Sequence, residues 1–123
     1  MPQALIEYSK NVATIFDARR LAHLLHARMV ELIDTDLESC KTRLVELADT
    51  IIGDGEAGHA MINVEIRILS GRAEAQKTAL GQAVLEDARA CVQTLPGDLQ
   101  LTVSVGDIDR SHYHKIVLPQ SPT

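Results

Sequence analysis

The chain has 123 residues, 46% of them hydrophobic and 24% charged, with a formal net charge of −5. That length supports one domain, or two small halves sharing one core, and the balance excludes a collagen, a disordered tail and a disulfide scaffold. Only 12 Lys plus Arg, two Tyr, one Phe and no Trp leave neither a basic footprint nor a stacking surface, so no nucleic-acid partner is expected. No uncharged apolar run approaches the roughly 20 residues of a membrane span, and the start lacks the basic-then-apolar pattern of a leader. A cytoplasmic protein with no membrane partner is expected. Cys40 and Cys91 are far apart and read as reduced thiols.

Residues 3–8 alternate loosely and read as a short strand. Thr14 opens a helix over about 14–34, with Asp17 three positions on as a weak capping signature. Ala18, Leu21, Ala22, Leu25, Met29 and Leu32 recur at three- and four-residue steps and form its buried stripe. Residues 43–48 look like a second strand, and Gly53-Asp54-Gly55-Glu56 followed by Gly58 is a turn cluster. From Ala60 to Ile68 every second residue is apolar, with Met61, Asn63, Glu65 and Arg67 between them. This predicts the longest strand, at 60–69, with one buried face. Helical spacing returns over 73–95 through Leu80, Val84, Ala88, Cys91 and Leu95, until Pro96-Gly97 stops it. Leu99, Leu101, Val103 and Val105 alternate as a last strand, and a polar tail follows from Ser111.

The order is strand–helix–strand, twice. It implies an α+β fold from a duplicated β-α-β unit, with halves at about 2–50 and 60–108 in one domain plus a C-terminal tail. Right-handed crossovers place both helices on one face of a four-stranded sheet. The other face would carry Leu5, Glu7, Met61, Asn63, Glu65, Leu69, Thr102 and Ser104. That mixture is too apolar for water and too polar for a core, which suits a subunit interface or a ligand cavity.

Met1-Pro2 stands immediately before a strand. If the methionine is trimmed, Pro2 becomes a secondary amine anchored on the sheet, and burial with nearby cations would bring such a base toward neutrality. Many chains begin Met-Pro with no catalytic consequence. Further on come Ile6-Glu7-Tyr8-Ser9, Lys41-Thr42-Arg43, Ile52-Gly53-Asp54-Gly55, His59-Ala60, Ile68-Leu69-Ser70-Gly71-Arg72 and Asp109-Arg110-Ser111-His112-Tyr113. This succession resembles the 5-carboxymethyl-2-hydroxymuconate isomerase family of the tautomerase superfamily, over about residues 2–118. The resemblance implies the same duplicated fold, assembled as a homotrimer with the sheets facing inward. It also implies a cofactor-independent keto–enol proton shift on a muconate-like dicarboxylic or tricarboxylic acid, in aromatic-compound catabolism. Carried over by motif, Pro2 is the base, Arg72 the catalytic arginine, and Lys41 with Arg43 the cations that hold the substrate's carboxylates. Lys41 stands where the best-known members carry Arg, giving a point charge instead of a planar fork. Ala73 stands where many carry Ser.

Other residues have plainer readings. His23 and His26, three apart on the first helix, lack a third ligand, and His112 with His114 would make a two-ligand site in a tail, so no metal is expected. Cys91 reads as a buried, inert thiol; Cys40 beside Lys41 is either structural or activated by the cation. Gly53-Asp54-Gly55-Glu56 lacks the Lys-Ser/Thr of a phosphate loop. Asp17, Arg19 and Arg20 read as a solvated helix face, and Glu7 and Glu65 as partners for Arg67 or a neighbouring subunit. The competing function is a non-catalytic small-molecule-binding module of ferredoxin-like topology.

Overall fold

In a computed structural model, which describes residues 2–93 and 97–121, the period-two alternation becomes β3 (Ala60–Leu69). Ala60, Ile62, Val64, Ile66 and Ile68 are all buried on one of its faces. Chain order is β1 (Gln3–Ser9), α1 (Ala18–Ile33), β2 (Lys41–Leu47), β3, α2 (Glu74–Ala90) and β4 (Leu99–Ile108). The sheet runs β2-β1-β3-β4, with β1 parallel to β2, β3 parallel to β4, and the two halves joined by antiparallel β1 and β3. Each parallel pair is spanned by its own helix, as a β-α-β crossover requires. Direct β1–β2 adjacency departs from the split unit of a ferredoxin-like fold, which removes the topological basis of the competing binding-module reading.

Both helices lie on one face of the sheet. Leu21, Leu25, Met29 and Ile33 of α1 join Leu80, Val84 and Ala88 of α2 in a single core with Ala4, Ile6 and the buried side of β3. Each large aliphatic buried there contributes about 1.5–3 kcal/mol over its exposed state. Arg28 clamps the two helices, its Nε and Nη2 donating to the two Asp87 carboxylate oxygens at 2.9 and 3.1 Å. Asp87 is buried against that guanidinium, which raises the affinity of Arg28 for its proton further above the ordinary arginine range.

Several boundaries differ from the sequence expectations. A 3-10 turn at Lys10–Val12 follows β1, and α1 starts at Ala18. Its cap is Asp17, not Thr14: the Asp17 carboxylate accepts from Arg20 N at 3.0 Å, so Asp17 is no mere solvated side chain. The second helix stops at Ala90, short of the expected 95, because the chain there pairs with residues 15–17. Asp17 N donates to the Cys91 carbonyl and Gln93 N to that of Ile15. Of the expected helix end and its Pro96-Gly97 stop, residues 94–96 lie outside the described residues. β2 begins at Lys41 and ends at Leu47, and β4 extends to Ile108, which makes it as long as β3 at 10 residues each. No helix among the described residues is long and apolar enough to cross a membrane.

Candidate active site at the Pro2 end of the sheet

Parallel pairing within each half, and antiparallel pairing between them, bring the starts of β1 and β2 together with the ends of β3 and β4. Pro2 is buried at this end, and its carbonyl accepts from Lys41 N at 3.3 Å. The register then lays four residues side by side on the face away from the helices: Lys41, Gln3, Arg67 and Gly106. The next row holds Arg43, Leu5, Glu65 and Ser104. Lys41 and Arg43 are therefore on one face of β2, both exposed, two positions apart. Lys41 Nζ donates to the Ser39 carbonyl at 2.6 Å, and Arg43 Nη1 to Gln3 Oε1 at 3.4 Å.

Arg72 approaches from the helix layer. Its Nε and Nη2 donate to the Ile33 carbonyl at 3.2 and 3.1 Å, and Nη1 to the Leu69 carbonyl at 3.2 Å. Ile33 ends α1, and Asp34 follows in the left-handed region at φ 53°, so the guanidinium satisfies a carbonyl the helix leaves unpaired. A cation there also complements the negative end of the helix dipole. Arg72 thus ties the end of α1 to the end of β3, with three of its five N–H groups committed. Just beyond it, Gln76 Oε1 accepts from Ala73 N at 2.9 Å, retaining half of a capping box where alanine cannot supply the other half.

Two cysteine and carboxylate expectations resolve here. Cys40 is buried beside Pro2, and desolvation outweighs the opposing pull of Lys41, pushing its thiol up, away from an activated thiolate. Burial pushes the Cys91 thiol up as well. Glu7 is bound to Asn63 instead of Arg67: Asn63 Nδ2 donates to Glu7 Oε1 at 3.0 Å, and Thr102 Oγ1 donates to Asn63 Oδ1 at 2.7 Å. Glu65 forms no ion pair with Arg67. Arg67, which the sequence reading set aside as a partner for these glutamates, belongs with the cations near Pro2. The signal that could have found it is its register: antiparallel pairing of β1 with the alternating strand puts it across from Gln3.

On the helix side of β2, His26 Nε2 lies 2.8 Å from Thr42 Oγ1, between Lys41 and Arg43 in sequence. Desolvation by burial, and then the neighbouring His23, lower the His26 pKa below the usual 6.5. The folded chain therefore resists protonation there. The associated stability is complete above about pH 6.5 and declines as pH falls through that value toward the lowered folded one. Urea midpoints at pH 7 and pH 5 should show this decline, and His26→Gln should flatten part of it. An unchanged slope in the variant would assign the titration elsewhere.

The sequence pattern of the 5-carboxymethyl-2-hydroxymuconate isomerase family matches residues 2–115. No curated protein matches the sequence. Among solved structures, a 5-carboxymethyl-2-hydroxymuconate isomerase from Deinococcus radiodurans R1 is similar at 22% identity and a TM-score of 0.81, covering 94% of this chain and 88% of that one. A 5-carboxymethyl-2-hydroxymuconate delta-isomerase is similar at 21% identity and TM-score 0.78, covering 95% of this chain and 89% of that one. A Q0 fused 4-OT wild type, a symmetric trimer, shares 23% identity and TM-score 0.69, with 89% and 87% covered. At such identities the structures establish a shared fold. The family pattern, running from Pro2 through the last 3-10 turn at Arg110–His112, establishes more: this isomerase belongs to the 5-carboxymethyl-2-hydroxymuconate isomerase family.

Proposed function

We propose that the protein is a cofactor-independent tautomerase acting on a 2-hydroxymuconate-type dicarboxylic or tricarboxylic acid, in the breakdown of aromatic compounds. The observation that carries this reading is the placement of Lys41 and Arg43 on the strand bonded to Pro2, at the same end of the sheet. With Met1 removed, the Pro2 amine takes the proton of the 2-hydroxyl group and returns a proton to carbon of the conjugated chain. The O–H bond breaks, its electrons form the carbonyl, and the displaced double-bond pair takes up the proton at carbon. Lys41 and Arg43 hold the carboxylates. Arg72 stabilises the negative charge that develops on oxygen, its position fixed by the Ile33 and Leu69 carbonyls. One such fixed donor is worth roughly 3–4 kcal/mol in well-studied oxyanion sites. The test is direct: incubate the protein with a 2-hydroxymuconate-type acid and follow loss of the dienol's ultraviolet absorption. A rate no higher than that of buffer would end this reading.

The same reading includes a homotrimer. Leu5, Met61 and Leu69 lie half-buried on the sheet face away from the helices, among polar neighbours, and the tail residues Ile116, Val117 and Leu118 are 78%, 72% and 78% exposed. Three consecutive aliphatics left in water are unfavourable by about 25 cal/mol for each Å² of apolar surface, which a second chain would cover. The similar fused 4-OT is a symmetric trimer. Light scattering should give three times the 13.4 kDa of the chain. A monomeric or dimeric mass would refute the trimer.

A further inference from the structure

Resting on that reading, we propose that Arg67 is a specificity-determining residue, the anchor for a second carboxylate at the far end of the acid from the reacting carbons. The row beside Pro2 places Gln3 between two cations, Lys41 on β2 and Arg67 on β3. With strands about 4.8 Å apart, the two cationic Cα atoms stand about 10 Å apart, and their long side chains can close on an anion from either side. Arg67 is exposed, and among the described residues its guanidinium has neither an ion pair nor a hydrogen bond. Within the described chain, Lys41, Arg43, Arg72 and Arg110 each donate to a protein oxygen, on Ser39, Gln3, Ile33 with Leu69, and Ser70, whereas the Arg67 guanidinium donates to none.

Within the single chain, the space around Arg67 is also open. Its neighbour on β4 is Gly106, and a Cβ built there would meet nothing within 4 Å. On the other side, the Gln3 amide oxygen is turned to Arg43. Three cations in two adjacent rows repel one another, and the single acid in those rows, Glu65, pairs with none of them. A second carboxylate relieves that repulsion and meets the planar fork of arginine, which accepts a carboxylate at two points. A monocarboxylate of the same length leaves the fork empty.

The test uses two acids with the same conjugated six-carbon chain, muconate with two carboxylates and sorbate with one, titrated calorimetrically into the native protein, Arg67→Gln and Arg67→Lys. The native protein should prefer muconate by tenfold or more. Arg67→Gln should weaken muconate by about 10- to 100-fold, the scale of one hydrogen bond to a charged group, and leave sorbate within about threefold. Arg67→Lys should fall between. Equal loss for both acids, an undiminished muconate preference in Arg67→Gln, or no preference in the native protein would overturn the proposal. So would a changed oligomeric mass of Arg67→Gln, which would make this residue a contact between subunits. The underlying reading fails separately: if the native protein turns over no 2-hydroxymuconate-type acid while Arg67→Gln still loses the muconate preference, the anion subsite stands and the tautomerase reading falls.

Discussion

Protein that retains Met1 should be about 10²- to 10⁴-fold less active than the trimmed form, the usual contribution of a positioned general base. In the Met-Pro chain the Pro2 nitrogen is part of an amide and has no basic lone pair. In the trimmed chain it is a secondary amine at a fixed place, because the Pro2 carbonyl is bonded to Lys41 N and Pro2 itself is buried. The two forms can be separated by mass and assayed side by side with a 2-hydroxymuconate-type acid. For the trimmed form, kcat/KM should rise with pH until the amine is deprotonated, whereas the Met-Pro form should show no such limb. Pro2→Ala keeps a primary amine once trimmed and should retain part of the activity. Equal rates from the Met-Pro and trimmed forms would reduce Pro2 to the residue before a strand.

Replacing Arg72 by Ala should cost both turnover and stability. Loss of a donor that stabilises charge on oxygen slows such reactions by on the order of 10²–10³. Independently, the Ile33 and Leu69 carbonyls lose a charged partner, each such bond being worth about 1.5–3 kcal/mol. A net loss of about 3 kcal/mol corresponds to a fall in Tm of about 10 °C for a domain of this size. The two effects separate in Arg72→Lys, which keeps the charge but cannot bridge both carbonyls from one planar group. It should recover part of the turnover and little of the Tm, with kcat/KM measured well below the melting range of each variant. If Arg72→Ala melts early yet keeps its kcat/KM, the residue is a clamp on the end of α1 and has no part in the chemistry.

Those two residues illustrate what a linear reading reveals. Pro2 is legible as the residue before the first strand, and the structure buries it there with its carbonyl bonded to Lys41 N. The strand at 60–69 is legible because one face is buried against both helices, which enforces strict alternation. Arg72 is legible as a motif, but its tie to Ile33 is not, since that partner is 39 positions away and emerges only when α1 and β3 end at the same level. Thr14 and Asp17 are both cap-forming residue types. Asp17 prevails because residues 15–17 are held against 91–93, a pairing between distant segments that also ends α2 before its apolar spacing does. β4 runs past the last alternating valine because its ladder with β3 continues to Ile108, and there Asp107, on the helix side, replaces an aliphatic and meets Lys77 of α2 at 3.4 Å. Arg67 looked like a partner for glutamates when only residue types were visible. Strand register, which one-dimensional spacing does not contain, set it beside Gln3 instead.

The central place of β1 has a consequence for biosynthesis. The first strand made is hydrogen-bonded along both edges in the finished protein, to β2 and to β3. Gln3 cannot meet Arg67 until about 64 further residues have been made, which at about 5–20 residues per second takes several seconds. During that interval the start of the chain is accessible to an aminopeptidase. Afterwards Pro2 is enclosed, and its carbonyl is tied to the next strand. On the reading proposed above, trimming of Met1 competes in time with the pairing of β1 to β3.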